Sequence, residues 1–98
     1  MAVIYKYPIP EPGKPFDVKI KGFCEVVHAG TDPLGQACFW ALVMPDQPEE
    51  TWNFLLVATG EEFESAKWCH LVSFQHQSMM WHLLRPIEWK DNLPKDVS

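Results

Sequence analysis

The residues of this 98-residue chain able to carry chemistry are four histidines (His28, His70, His76, His82), three cysteines (Cys24, Cys38, Cys69) and two acidic clusters. A zinc centre needs three or four imidazole, thiolate or carboxylate ligands converging on one point. His70 and His76 lie six positions apart on one extended stretch, which separates them by roughly 20 Å. His76 and His82 fall on opposite faces of a hairpin that turns at Gln77-Ser78. No cysteine spacing is Cys-x-x-Cys. No metal and no cofactor are therefore expected. Cys38 sits inside an apolar run and reads as a core thiol, and all three cysteines read as free thiols in a reducing compartment. Asp46, Glu49 and Glu50 precede the stretch 51–59, and Glu61, Glu62 and Glu64 follow it. The two clusters thus belong to opposite ends of the molecule and read as solvated loops. No Gly-rich phosphate loop and no nucleophile elbow is present. No catalytic residue is assigned, and the protein is not expected to be an enzyme.

Aromatic residues are the remaining signal. The chain has five tryptophans and six phenylalanines. Trp40, Trp52 and Trp81 lie within predicted strands. Trp68 and Trp89 lie near strand ends, where a core this small has little room for them. The candidate binding residues are therefore Trp68, Trp89, His82 and Arg85, with a protein partner as the expected contact. The net charge is −5 and Arg85 is the only arginine, which argues against nucleic acid as a partner. The start, Met1-Ala-Val-Ile-Tyr-Lys-Tyr7, has no basic region followed by a long apolar core. Neither a signal peptide nor a membrane association is expected, and the expected location is the cytoplasm.

The elements that must position these residues are short strands. Gln36 to Met44 is apolar on both alternating faces, bounded by Gly35 and Pro45, and is expected to be the central strand, covered on both sides. Val3–Tyr7 reads as a first strand, ended by the proline-rich connector 8–15. Phe16–Lys21 alternates Phe, Val, Ile with Asp, Lys, Lys and reads as half exposed. Phe23–Ala29 is a third strand, and the turn-forming stretch 30–35 leads from it into the central one. Thr51–Thr59 is largely buried. Residues 61–68 read as a loop with at most one short helix. Cys69–His76 and Met79–Leu84 form a hairpin in which Phe74 faces Trp81, Val72 faces Leu83 and Ser73 faces His82. Ile87–Lys90 is expected to add a short edge. The prediction is an all-β fold, a small antiparallel β-sandwich or barrel of about seven short strands. Its single domain spans residues 1–90, with a polar tail at 91–98.

Four segments in order resemble a family of short, uncharacterised proteins of tailed phages and prophages, a domain of unknown function. They are Ile4-Tyr-Lys-Tyr-Pro8, Cys38-Phe-Trp-Ala-Leu-Val43 with Pro45, Thr59-Gly60, and Trp81-His-Leu83. The family pattern has leucine where Phe39 stands, aspartate where Met44 stands, and His-Pro where Glu61-Glu62 stand. The resemblance implies a compact β fold and a phage accessory protein acting in the host cytoplasm. It carries over no catalytic residue.

The leading expectation is a non-enzymatic protein-binding module, such as an inhibitor of a host or defence protein. The alternative is a binder of a small molecule such as a nucleotide signal, with aromatic rings stacking on a base. A remote third reading is a small Cys/His hydrolase. A flat apolar patch favours the first reading, and a tryptophan pocket with a cationic neighbour favours the second.

Overall fold

The computed structural model describes residues 1–88. The sequence candidate Trp89, the end of the expected 87–90 edge and the 91–98 tail lie outside the described residues. Seven strands follow one another: β1 (Val3–Pro8), β2 (Phe16–Lys21), β3 (Phe23–Thr31), β4 (Ala37–Val43), β5 (Glu49–Ala58), β6 (Trp68–His76) and β7 (Met79–Pro86). They form a three-stranded sheet ordered β1-β4-β3 and a four-stranded sheet ordered β2-β5-β7-β6. Every pairing is antiparallel. The two sheets are separate and do not close into a barrel, so the sandwich is the form the chain takes. Among the described residues no helix is long and apolar enough to cross a membrane.

Alternation decides which side of each strand faces the core. In β2, Phe16 and Ile20 are buried while Asp17, Lys19 and Lys21 face water. The core lies between the sheets. Phe39 of β4 meets Tyr7 at 5.4 Å and Phe54 of β5 at 4.7 Å, and Phe23 packs on Trp52 at 4.9 Å. Aromatic rings from both sheets thus interlock at the spacings that rings prefer.

Gly22 makes the corner at which the chain leaves β2 and enters β3 of the other sheet. Its φ is +62°, and a Cβ there would stand 2.2 Å from the Met44 carbonyl oxygen. Met44 N donates to Gly22 O at 2.8 Å, which pins the corner to the end of β4.

Two expectations need correction. β4 is central in its sheet, but among the described residues the opposing layer covers only its inner face, and on the outer face Cys38 alone is buried, beneath the loop that precedes the strand. Phe39, Ala41 and Val43 are fully buried, whereas Trp40 and Leu42 on the outer face are half-buried. Cross-strand neighbours shelter Trp40 in place of a second layer. Lys6 and His28 stand opposite it in register, and the His28 ring lies 5.3 Å from it. An apolar residue on a sheet surface and one in a core look alike in sequence. The second correction concerns Ile87 and Glu88, which enter a tight helical turn rather than an edge strand.

Candidate functional site

The β6–β7 hairpin assembles a polar constellation on the outer face of the four-stranded sheet. Its turn residues, Gln77 and Ser78, both have positive φ (52° and 67°), the geometry of a two-residue hairpin loop. That turn fixes the expected pairs Phe74–Trp81, Ser73–His82 and Val72–Leu83. Between His70 and Val72 the register shifts by a β-bulge, and His70 pairs with Leu84. Leu71 and Val72 consequently both pack on the main core, and His70 turns to the outer face beside Ser73 and His82.

The resulting chain of contacts is continuous. Ser73 Oγ lies 2.8 Å from His70 Nε2 and 2.8 Å from His82 Nδ1. His82 Nε2 lies 2.8 Å from Thr59 Oγ1 at the end of β5. The Thr59 hydroxyl donates to Met80 O at 3.4 Å. One proton arrangement satisfies every link. Thr59 gives its proton to Met80 O, so His82 Nε2–H donates to Thr59, and His82 Nδ1 is left as the acceptor for Ser73. His76 is absent from this chain. Its Nδ1 lies 2.6 Å from Thr31 Oγ1, a bond that links β6 to β3 across the two sheets.

The sequence candidates separate. Trp68 begins β6 and packs on a small second cluster, Leu55, Val57 and Leu84, on the outer face. It also lines a groove of about 460 Å³ with Pro15, Asn53, Lys67, Pro86 and Ile87. His82 is on the same outer face: Trp68 pairs with Pro86, and His82, four positions earlier on β7, pairs with Val57. Arg85, opposite Cys69, has the opposite strand parity to His82 and Leu84 and so points to the other face. Its guanidinium donates to Pro86 O at 2.9 Å. The structure therefore brings Trp68 and His82 to one face and sends Arg85 away from it. Ser73, Thr59 and His70 are not among the binding residues expected from the sequence, where His70 is weighed only as a metal ligand and Ser73 only as the strand partner of His82. A signal for them exists. Leu71 and Val72 are consecutive apolar residues in a strand whose Ser73 and Gln75 face outward, which breaks strict alternation.

A second polar knot ties the β3–β4 loop. Asp32 Oδ1 accepts from Leu34 N and Gln36 N, both at 2.9 Å, and Oδ2 accepts from Lys6 Nζ at 3.0 Å. The Gln36 amide, the Lys6 ammonium and the Leu34 amide hold the Asp32 carboxyl down at about 2. The Cys38 thiol lies under this loop, 3.6 Å from Asp32 Oδ2. Burial, then the nearby Asp32 carboxylate, pushes the thiol pKa up, which disfavours the thiolate a nucleophile needs. Cys24 and Cys69 are also free.

A third feature lies where the edge strands β1 and β2 of the two sheets approach. Tyr5 and Tyr7, with Lys19, Lys21, Val43, Pro45 and Glu49, line a groove of about 300 Å³.

A family model described as "Domain of unknown function (DUF7352)" matches residues 1–92. The chain belongs to this family. The matched span contains all seven strands, both grooves and the His70–Ser73–His82–Thr59 chain. Comparison with curated proteins and with solved structures finds no match.

Proposed function

We propose that the protein is a non-enzymatic protein-binding module that docks its partner at the Trp68 groove. The observation that carries this reading is the groove's make-up. Trp68, Pro15, Pro86 and Ile87 offer apolar walls of a size that accepts one anchoring side chain, with polar atoms of Asn53, Lys67 and Glu88 at the rim. Lys67 is paired with Glu64 at 3.4 Å, and Glu88 stands on the same rim, so the groove has no excess positive charge for a phosphate. An apolar side chain projecting from a partner protein fits this surface better than a nucleotide. The four-segment resemblance to phage and prophage proteins supports an accessory role in a host cytoplasm, with a host or defence protein as the partner.

The test is capture of partners from host lysate, followed by direct titration of the captured protein against variants. Trp68→Ala is expected to weaken the complex by about 2 kcal/mol, roughly thirtyfold. Because Trp68 also packs on Leu55 and Leu84, circular dichroism serves as the folding control, and Ile87→Asp provides a second lesion in the groove. A complex indifferent to both changes sinks the reading.

The second reading, a small-molecule binder, is favoured by the Tyr5–Tyr7 groove. Two phenol rings beside Lys19 and Lys21 suit a planar base carrying a phosphate. Mass spectrometry of small molecules released on denaturation, compared with Tyr5→Ala and Lys19→Glu, separates it from the first.

A further inference from the structure

The free edge of β2 runs between the two grooves. Pro15, which leads into the strand, lines the Trp68 groove, and Lys19 and Lys21 line the Tyr5–Tyr7 groove. We propose that an extended acidic segment of the partner protein adds to this edge as a further antiparallel strand, with its carboxylates on Lys19 and Lys21. The proposal rests on the reading of a protein partner at the Trp68 groove and names the chemistry of the segment that docks.

β2 ends its sheet, so one side of its backbone has no ladder partner. The groups on that side follow from a single bond. Gly22 N donates to Pro48 O at 3.3 Å, one step beyond the Lys21–Glu49 pair. Antiparallel partners alternate between exchanging bonds and turning away from each other. Phe16, Val18 and Ile20 therefore bond to β5, while Asp17, Lys19 and Lys21 turn their N–H and C=O outward. Among the described residues no turn or side chain takes up these outward groups. On the other side of the sandwich, the edge strands β3 and β6 are already joined by the Thr31–His76 bond.

Charge selects the occupant. Of the lysines among the described residues, Lys6, Lys14 and Lys67 lie in ion pairs, and Lys19 and Lys21 lie in none. Both are exposed and share one face of the strand. Asp17, on the same face, is engaged by the Asn53 amide. Glu49 faces Lys21 from β5, on the far side of β2 from an added strand. That strand lies about 4.8 Å from β2 and about twice as far from β5, so it meets the ammonium groups first. Edge lysines ordinarily keep neutral or basic strands from pairing. The same charges admit a strand with carboxylates at alternate positions. Its intervening side chains lie over half-buried Val18 and beside half-exposed Tyr5, and are apolar. Running antiparallel, the segment places acidic residues opposite Lys21 and Lys19, a polar one opposite Asp17, and an apolar one at Pro15, where the Trp68 groove begins.

The probe is the heptapeptide Glu-Val-Glu-Val-Thr-Val-Leu, titrated into the isotope-labelled full chain and followed by amide chemical shifts. Saturable binding with a Kd below about 1 millimolar is expected, with the largest shifts at Asp17, Lys19 and Lys21. Lys19→Glu and Lys21→Glu should each weaken it about tenfold, and Lys19→Arg should preserve it. Two N-methylated peptides of identical charge separate strand addition from plain charge attraction. Methylating the nitrogen of the second glutamate removes a donor turned toward β2 and should weaken binding at least about tenfold. Methylating the nitrogen of the next valine, which faces away, should leave it within about threefold. Circular dichroism on each protein variant confirms that the fold is intact. No shifts up to about 1 millimolar peptide, shifts that avoid β2, binding indifferent to both lysine reversals, or equal binding of the two methylated peptides overturns the proposal. A captured partner weakened by Trp68→Ala but unmoved by Lys19→Glu and Lys21→Glu overturns strand addition and leaves the groove reading standing. A peptide that binds as expected, with a partner indifferent to Trp68→Ala and Ile87→Asp, supports strand addition and removes the groove reading alone.

Discussion

Lys6 and Asp32, 26 residues apart in sequence, meet through an ion pair of 3.0 Å that closes the end of the three-stranded sheet. The Lys6 strand, β1, is joined to β4 by its ladder, and Asp32 belongs to the loop between β3 and β4, so one pair ties all three strands.

The pair sets an acid limit on stability. The folded carboxyl titrates at about 2, below its ordinary 3.8. A group lowered on folding stabilises the folded state fully above its unfolded pKa, and that contribution vanishes as pH falls through the folded value. Asp32 should thus stabilise at neutral pH, begin to lose effect below about pH 4, and contribute little once the pH falls below about 2. Melting temperatures of wild type and Asp32→Asn across pH 7 to 2 provide the measurement. The two curves should be well separated at pH 7 and converge at the acid end. Parallel curves would show that the knot is not the source.

Gly22→Ala should be among the most damaging substitutions outside the core. An alanine there pays for a left-handed backbone and meets the Met44 carbonyl oxygen at 2.2 Å unless the corner moves. A loss of at least about 2 kcal/mol is expected in urea unfolding. Gly35→Ala is the comparison. It shares a positive φ of +87° but has nothing within 4 Å, so it should cost only the backbone share, about 1 kcal/mol.

The hairpin turn offers a gain. Gln77 and Ser78 hold positive φ without being glycine or asparagine. Replacing Gln77-Ser78 by Asn-Gly should raise stability by about 1 kcal/mol, since the strain relieved exceeds the entropy glycine adds to the unfolded chain. Thermal denaturation decides it, and a lower melting temperature would contradict the assigned turn.

Phe39 and Trp40 are neighbours with unlike burdens. Phe39 is fully buried between Tyr7 and Phe54, so Phe39→Ala should cost about 3–5 kcal/mol. Trp40 is half-buried on the outer face, and Trp40→Ala should cost about 1–3 kcal/mol despite removing the larger side chain. Equal losses in chemical denaturation would mean that the outer face is sealed more tightly than its exposure indicates.

The sequence by itself determined the strands and the register of one hairpin, β6–β7. Alternation in Phe16–Lys21, the glycines and prolines between apolar runs, and the two-residue turn at Gln77-Ser78 are local facts, and local steric and hydrophobic rules act on them directly. The hairpin partners of Phe74, Ser73 and Val72 followed from that turn alone. Tertiary structure decided what local rules cannot reach. The sequence does not say which sheet each strand joins. Gly22 sends β3 away from β2 because its corner meets Met44, a residue 22 positions later, and that contact exists only once β4 is in place. Trp40 is apolar in sequence wherever it ends up, and it is left half exposed because no described residue forms a layer over that face. The meeting of His70 with His82 depends on a single extra residue in β6. One residue reverses the face of every side chain before it, so a site built on the bulge is invisible to a count of spacings and plain once the strands are paired.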